Sequence, residues 1–96
     1  MTGTIYAVKD PESGVIVYVG RTTLRPDKRW SGHMSASKAR WGRRTPLYRW
    51  MRNLQSPPKF EVLLTGVPRA ELLKFELVAM DIARRINPGL LNVHYW

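Results

Sequence analysis

The stretch TIYAVKDPESGVIVYVGR, residues 4–21, constrains this chain most, because two short apolar runs flank one polar, glycine-containing loop. Apolar runs of this length, bounded by Asp-Pro and Ser-Gly turn signals, read as the two strands of a β-hairpin. Each run carries one tyrosine, a residue at home on a pleated surface. With Lys9 facing Val15 across the loop, Tyr6 falls directly opposite Tyr18 on one face of the sheet. A slip of one residue would send the two rings to opposite faces. A bulge inside the loop Asp10–Gly14 is the feature able to shift this pairing.

Ninety-six residues make one small domain, read here as spanning 1–96, with a single core and no room for a separate recognition domain. There is no cysteine, which excludes disulfides and thiolate metal sites, and His33 and His94 are the only imidazoles, too few for a structural zinc site. The longest apolar stretch, GVIVYVG, is far too short to cross a bilayer, and the first residues lack a basic-then-apolar signal pattern. The expectation is a cytoplasmic protein.

The net charge is +9, and its distribution says more than its size. Residues 21–52 hold Arg21, Arg25, Lys28, Arg29, Lys38, Arg40, Arg43, Arg44, Arg49 and Arg52 against a single acid, Asp27. The rest of the chain is balanced. Trp30, Trp41, Tyr48 and Trp50 are interleaved with these cations, a pattern that suits a nucleic-acid surface better than a merely solvated face. An anionic membrane is the other polyanion to weigh, but no segment shows a clean basic face backed by an apolar one.

After the hairpin, a helix is expected from about Arg25 to Arg40, with Pro26 in its first turn, Trp30, Met34, Ser37 and Trp41 along one side, and Gly32 weakening it. A second helix is signalled by Thr45 as N-cap, Pro46 at the first position, and Leu47, Trp50, Met51 and Leu54 at helical spacing. Pro57-Pro58 breaks the chain, and Phe60–Leu64 reads as a third strand ended by Gly66. A last helix starts near Pro68 and stops at Asn87-Pro88-Gly89. The order strand, strand, helix, helix, strand, helix gives an α/β domain of the α+β kind: a small, mainly antiparallel three-stranded sheet flanked by three helices.

The last helix holds an informative misfit. Leu72, Phe75, Ala79, Ile82, Ala83 and Ile86 form one expected stripe, and Glu76 falls inside it, about 40° from Leu72. A carboxylate buried alone would cost several kcal/mol or take up a proton. Something cationic is therefore expected beside Glu76: an arginine, or a divalent metal completed by water and substrate phosphate in the manner of Mg²⁺. Glu71, by contrast, suits the positive end of the helix. On the first helix, Arg29 and His33 stand one turn apart, with Arg25 continuing the row. Phenols, a guanidinium and a sequestered carboxylate together suggest phosphate chemistry, with a proton acceptor, a clamp on phosphoryl oxygens and a metal to stabilise charge.

These residues resemble a known family. T-I-Y, then Y-V-G-R, then K-R-W-x-x-H, a glutamate within a helix, and P-G-L-L-N together look like the GIY-YIG nuclease domain, in the family's order and approximate spacing across positions 4–92. The resemblance implies that Tyr6 and Tyr18 are the motif tyrosines, with Gly20 closing the second motif. It implies that Arg29 is the catalytic arginine, His33 the histidine one turn later, Glu76 the metal ligand and Asn92 the asparagine near the C-terminal end. Thr4 stands where the signature has its first glycine. Arg21 occupies a position where some members place a lysine thought to lower a tyrosine's pKa, and arginine keeps the charge but cannot give up its proton. The spacing leaves open whether Arg25 shares the role of Arg29.

The activity implied is Mg²⁺- or Mn²⁺-dependent hydrolysis of a DNA phosphodiester by water, one strand per active site. Tyr6 is assigned as the base and Tyr18 as orienting the water, the reverse remaining open. A phenol's pKa of about 10 is poorly matched to that task, and the charges of Arg21, Arg29 and the metal are expected to favour phenolate. Arg29 would stabilise the transition state, His33 would touch phosphate or protonate the leaving oxygen, and Asn92 would position its neighbours. Arg21, Arg25, Lys28, Arg40, Arg43, Arg44, Arg49 and Arg52 would grip DNA with an affinity that falls steeply with salt. Cutting both strands would call for a homodimer or transient dimer on DNA, a further domain, or two successive nicks. The rivals are a basic DNA-binding module without catalysis, and a degenerate nuclease kept as a regulatory partner.

Overall fold

The computed structural model describes residues 2–38 and 45–92. Strands β1 (Thr2–Lys9), β2 (Ile16–Thr22) and β3 (Lys59–Pro68) form one antiparallel sheet in the order β2-β1-β3. The helices are α1 (Pro26–Lys38), α2 (Pro46–Arg52) and α3 (Leu72–Ile86), the last preceded by a 3₁₀ turn at Arg69–Glu71. The α+β expectation holds: a three-stranded antiparallel sheet with three helices among the described residues.

Because β1 is the central strand, its period-2 alternation buries residues on both faces. Ile5 packs with Val19, Val67, Leu72, Met80, Ala83 and Leu90 on the α3 side. Tyr6 and Val8 pack with Leu47 and Met51 on the side of α1 and α2, where Trp30 stacks on Phe60 at 5.2 Å. Thr45 and Pro46 open α2 as expected, although Thr45 makes no side-chain cap. The backbone N–H of Asn87 closes α3 on the Ala83 carbonyl.

The hairpin register departs from the expectation. Tyr6 faces Gly20, and Tyr18 faces Val8, because the pairing slips between Val8 and Lys9. Val17 is the extra residue: Val8 pairs with Tyr18 while Lys9 already pairs with Ile16. Tyr6 and Tyr18 thus share a face as diagonal neighbours rather than as an opposed pair. A second irregularity overturns the reading of Gly66 as a strand end. β3 runs on to Pro68, and Gly66, with φ +65°, takes up the slip where Gly3 pairs with Val67 and Ile5 with Leu64. Helix α1 starts at Pro26 rather than Arg25 and is described as far as Lys38; Arg40 and Trp41 lie outside the described residues.

The buried face of α3 is also rotated from the expected stripe. Leu72, Met80 and Ala83 are buried, whereas Ile82 and Ile86 are 54% and 76% exposed. Leu73 and Val78 are half-exposed as well, so the buried line runs along Leu72, Met80 and Ala83, with Glu76 on the same side. The free edge of β2 is closed by the segment after α3. Asn87 Nδ2 donates to the Ile16 carbonyl at 3.0 Å, Leu91 N to the Val17 carbonyl at 2.7 Å, and Asn92 exchanges two hydrogen bonds with the Val19 backbone at 2.9 and 2.6 Å.

Gly20 matters for what it lacks. A Cβ there would collide with the Tyr6 ring and hydroxyl. Tyr6 is fully buried and has nowhere to retreat. Gly20→Ala is expected to destabilise the fold by about 1–3 kcal/mol, read as a lower melting temperature in a thermal denaturation scan; an unchanged melt would show that the ring is not seated against this glycine.

Candidate active site

The site forms where the inner tyrosine of the hairpin meets the first two helices. Tyr6 Oη lies 2.5 Å from His33 Nε2 and accepts a hydrogen bond from Arg29 Nε at 3.3 Å. Arg29 and His33 are brought to the same hydroxyl by their one-turn spacing on α1. Tyr18 stands edge-on to Tyr6, with ring centroids 6.5 Å apart, and edge-on to His33 at 5.9 Å. His33 is 1% exposed, and its other nitrogen, Nδ1, lies 2.9 Å from Tyr48 Oη on α2. Both ring nitrogens therefore face phenols.

The electrostatics follow from burial. Desolvation raises the Tyr6 pKa above that of a free phenol, outweighing the hydrogen bond and charge of Arg29 that pull it down. Tyr18 is raised as well, first by burial and then by the fields of Tyr6 and Glu76. Burial, helped by the Arg29 charge, pushes His33 down to about 4, so the imidazole is neutral near pH 7. Of the charges expected to favour phenolate, that of Arg29 acts on Tyr6 and is outweighed by burial, while that of Arg21 is engaged elsewhere.

That charge goes to Glu76. Arg21 Nη1 donates to Glu76 Oε1 at 2.5 Å, and the carboxylate is turned inward, with its side chain 13% exposed. Alternation along β2 puts Arg21, the partner of Ile5, on the α3 side, where it meets Glu76. The arginine anticipated from the helical misfit is thus present, and the carboxylate still raises both phenols. As a metal site the donor set is sparse. No cluster of three His, Cys, Asp or Glu occurs among the described residues, and Glu76 alone offers an oxygen, Oε2, that Arg21 does not engage. One carboxylate suits an Mg²⁺ ion that keeps most of its waters and takes the rest of its ligands from phosphate.

Arg21 and Arg29 both line a cleft of about 500 Å³ together with Thr22, Thr23 and Arg69. Arg69, from the turn before α3, was not marked by the sequence, because its neighbour in space, Arg21, is distant along the chain. In the sequence Tyr48 shows only as one of the aromatics of the basic segment. Arg25, just before α1, pairs with Asp27 at 3.2 and 3.1 Å, whereas the guanidinium bonded to Tyr6 is that of Arg29. Lys28 and Arg49 are exposed, and Arg52 donates its Nε to the Ser37 carbonyl, tying α2 to α1. Arg40, Arg43 and Arg44 lie outside the described residues. Asn92 is not among the phenols but grips Val19, between Tyr18 and Gly20.

A three-stranded antiparallel sheet with helices on both faces and two tyrosines gathered against Arg29 and His33 defines a small domain of the nuclease type. The chain belongs to the GIY-YIG family, whose catalytic-domain model matches residues 2–87. No curated protein and no solved structure matches it. No helix among the described residues is long and apolar enough to cross a membrane.

Proposed function

We propose that this protein is a metal-dependent DNA endonuclease in which Tyr6 activates water for attack on a phosphodiester. The observation that supports this best is the environment of one buried oxygen: Tyr6 Oη has a neutral imidazole nitrogen at 2.5 Å and a guanidinium N–H at 3.3 Å. A hydroxyl placed between an acceptor and a cation can receive a proton from water while passing on its own. Tyr18, edge-on beside it, orients the attacking water. Arg29, which lines the same cleft as Arg21 and Arg69, stabilises charge on the phosphate. Mg²⁺ or Mn²⁺, held by Glu76, supplies Lewis-acid stabilisation of the phosphate when bound. A site with one protein ligand is weak and fills together with DNA. Each centre cuts one strand, so a double-strand break takes two copies on DNA or two successive nicks.

The Arg21–Glu76 pair also favours a second reading, a DNA-binding module whose carboxylate is purely structural. Supercoiled plasmid separates the two. Under the catalytic reading, wild-type protein nicks it in Mg²⁺ and stops in EDTA, and Glu76→Ala lowers the rate by about 10²–10³-fold while still shifting DNA in a gel. Equal conversion by wild type and Glu76→Ala would overturn the catalytic reading, and a shift without any nicking would establish the binding module.

A further inference from the structure

His33 is held from both sides, and the two contacts decide which of its nitrogens carries the proton. Tyr6 is fully buried, and its hydroxyl has two polar neighbours among the described residues. Arg29 Nε is a donor only, so it uses one lone pair of Oη. The phenolic proton of Tyr6 is left with a single acceptor, the lone pair of His33 Nε2. A neutral imidazole that accepts at Nε2 carries its hydrogen on Nδ1. That N–H then donates to Tyr48 Oη at 2.9 Å. The other tautomer would aim Nε2–H and Arg29 at the same oxygen and leave the Tyr6 proton without an acceptor in a buried place.

We infer that Tyr48 is a positioning residue for hydrolysis: by accepting the Nδ1–H bond of His33 it holds the ring in the tautomer whose Nε2 receives the Tyr6 proton. Its role in turnover rests on the endonuclease reading; the tautomer does not. The proton balance is simple. Water gives one proton to Tyr6 Oη as its oxygen bonds to phosphorus, Tyr6 gives its own proton to Nε2, and the phosphorus bond to the leaving oxygen breaks. His33 becomes imidazolium, still bonded through Nδ1–H to Tyr48, then returns the Nε2 proton to Tyr6 Oη, and the proton that Tyr6 took from water passes by way of solvent to the leaving oxygen. Tyr48 gains and loses none. The groups that face this chain are Tyr6 on β1, Tyr18 on β2, Arg29 on α1 and Tyr48 on α2, with the charge of Glu76 on α3 felt at Tyr6.

The test is the imidazole ¹⁵N spectrum of uniformly labelled protein near pH 7, with His94→Gln assigning the second histidine. Wild type is expected to show His33 protonated at Nδ1 and unprotonated at Nε2. Tyr48→Phe removes the acceptor, moves His33 towards the Nε2–H form, and lowers the single-turnover cleavage rate about tenfold with DNA affinity unchanged. A wild-type His33 protonated at Nε2 would overturn the inference, and so would a Tyr48→Phe spectrum identical to wild type. If both spectra come out as expected and wild type cleaves no DNA, the tautomer assignment stands and the endonuclease reading falls.

Discussion

Tyr6→Phe is expected to lower the rate of plasmid cleavage by about 10²–10⁴-fold, the usual worth of a positioned general base, while leaving DNA affinity unchanged. The substitution keeps the ring that fills the core against Val8, Leu47 and Met51 and removes one oxygen. That oxygen is the meeting point of His33 Nε2 and Arg29 Nε, so its loss also leaves a buried imidazole nitrogen unpartnered. The stability cost is about 1–3 kcal/mol, enough to lower the melting temperature without unfolding the domain at 25 °C. Single-turnover cleavage and gel shifts at one fixed salt concentration measure the two quantities separately. Tyr18→Phe serves as the comparison. Its hydroxyl is assigned to orienting water, so its effect should be the smaller one. Cleavage by Tyr6→Phe within a few-fold of wild type, with Tyr18→Phe inactive, would reverse the assignment of the two phenols.

The second large effect is a loss of stability on mild acidification. His33 titrates near 4 in the fold against 6.5 when unfolded. Below pH 6.5 the unfolded chain therefore binds a proton that the folded chain refuses, and stability falls as pH falls. The contribution is fully present above pH 6.5, declines by about 1.4 kcal/mol for each pH unit below it, and is gone near pH 4. Between pH 6.5 and 5, where few carboxylates titrate, the expected loss is about 2 kcal/mol, or roughly 10 °C in melting temperature. Melting curves of wild type and His33→Gln across this window give the test. The variant should start lower and show a flatter slope; parallel slopes would mean that His33 takes up a proton as readily in the fold as out of it.

Much of the fold could be read from local signals, because those signals are themselves physical. The turn residues after Lys9 made the hairpin, and Thr45-Pro46 with Leu47, Trp50 and Met51 made α2. What escaped depended on distant partners. Nothing around Val17 announces a bulge, since its apolar side chain suits either register and only the packing of β1 chooses. Helical period marks an apolar stripe on α3 but not which side of that stripe meets the sheet. Within the site, the inward turn of Glu76 is legible as a charge among apolar neighbours, which calls for a cation beside it, and Arg21 is that cation. Tyr48 and Arg69 were not legible, because each gains its place only when α2 or the turn before α3 folds against residues far back in the chain.

The latch formed by Asn87, Leu91 and Asn92 along β2 bears on when that strand can first be fixed in place. Asn92 lies 73 residues after Val19, so during translation β2 leaves the ribosome long before the side chain that grips it. A nascent chain lacking those last contacts has an unclosed strand beneath Tyr18 and no fixed seat for the second phenol. Order in the strand that carries Tyr18 thus waits on a partner made much later than the strand itself, and loss of the latch would leave Tyr18 without its braced support.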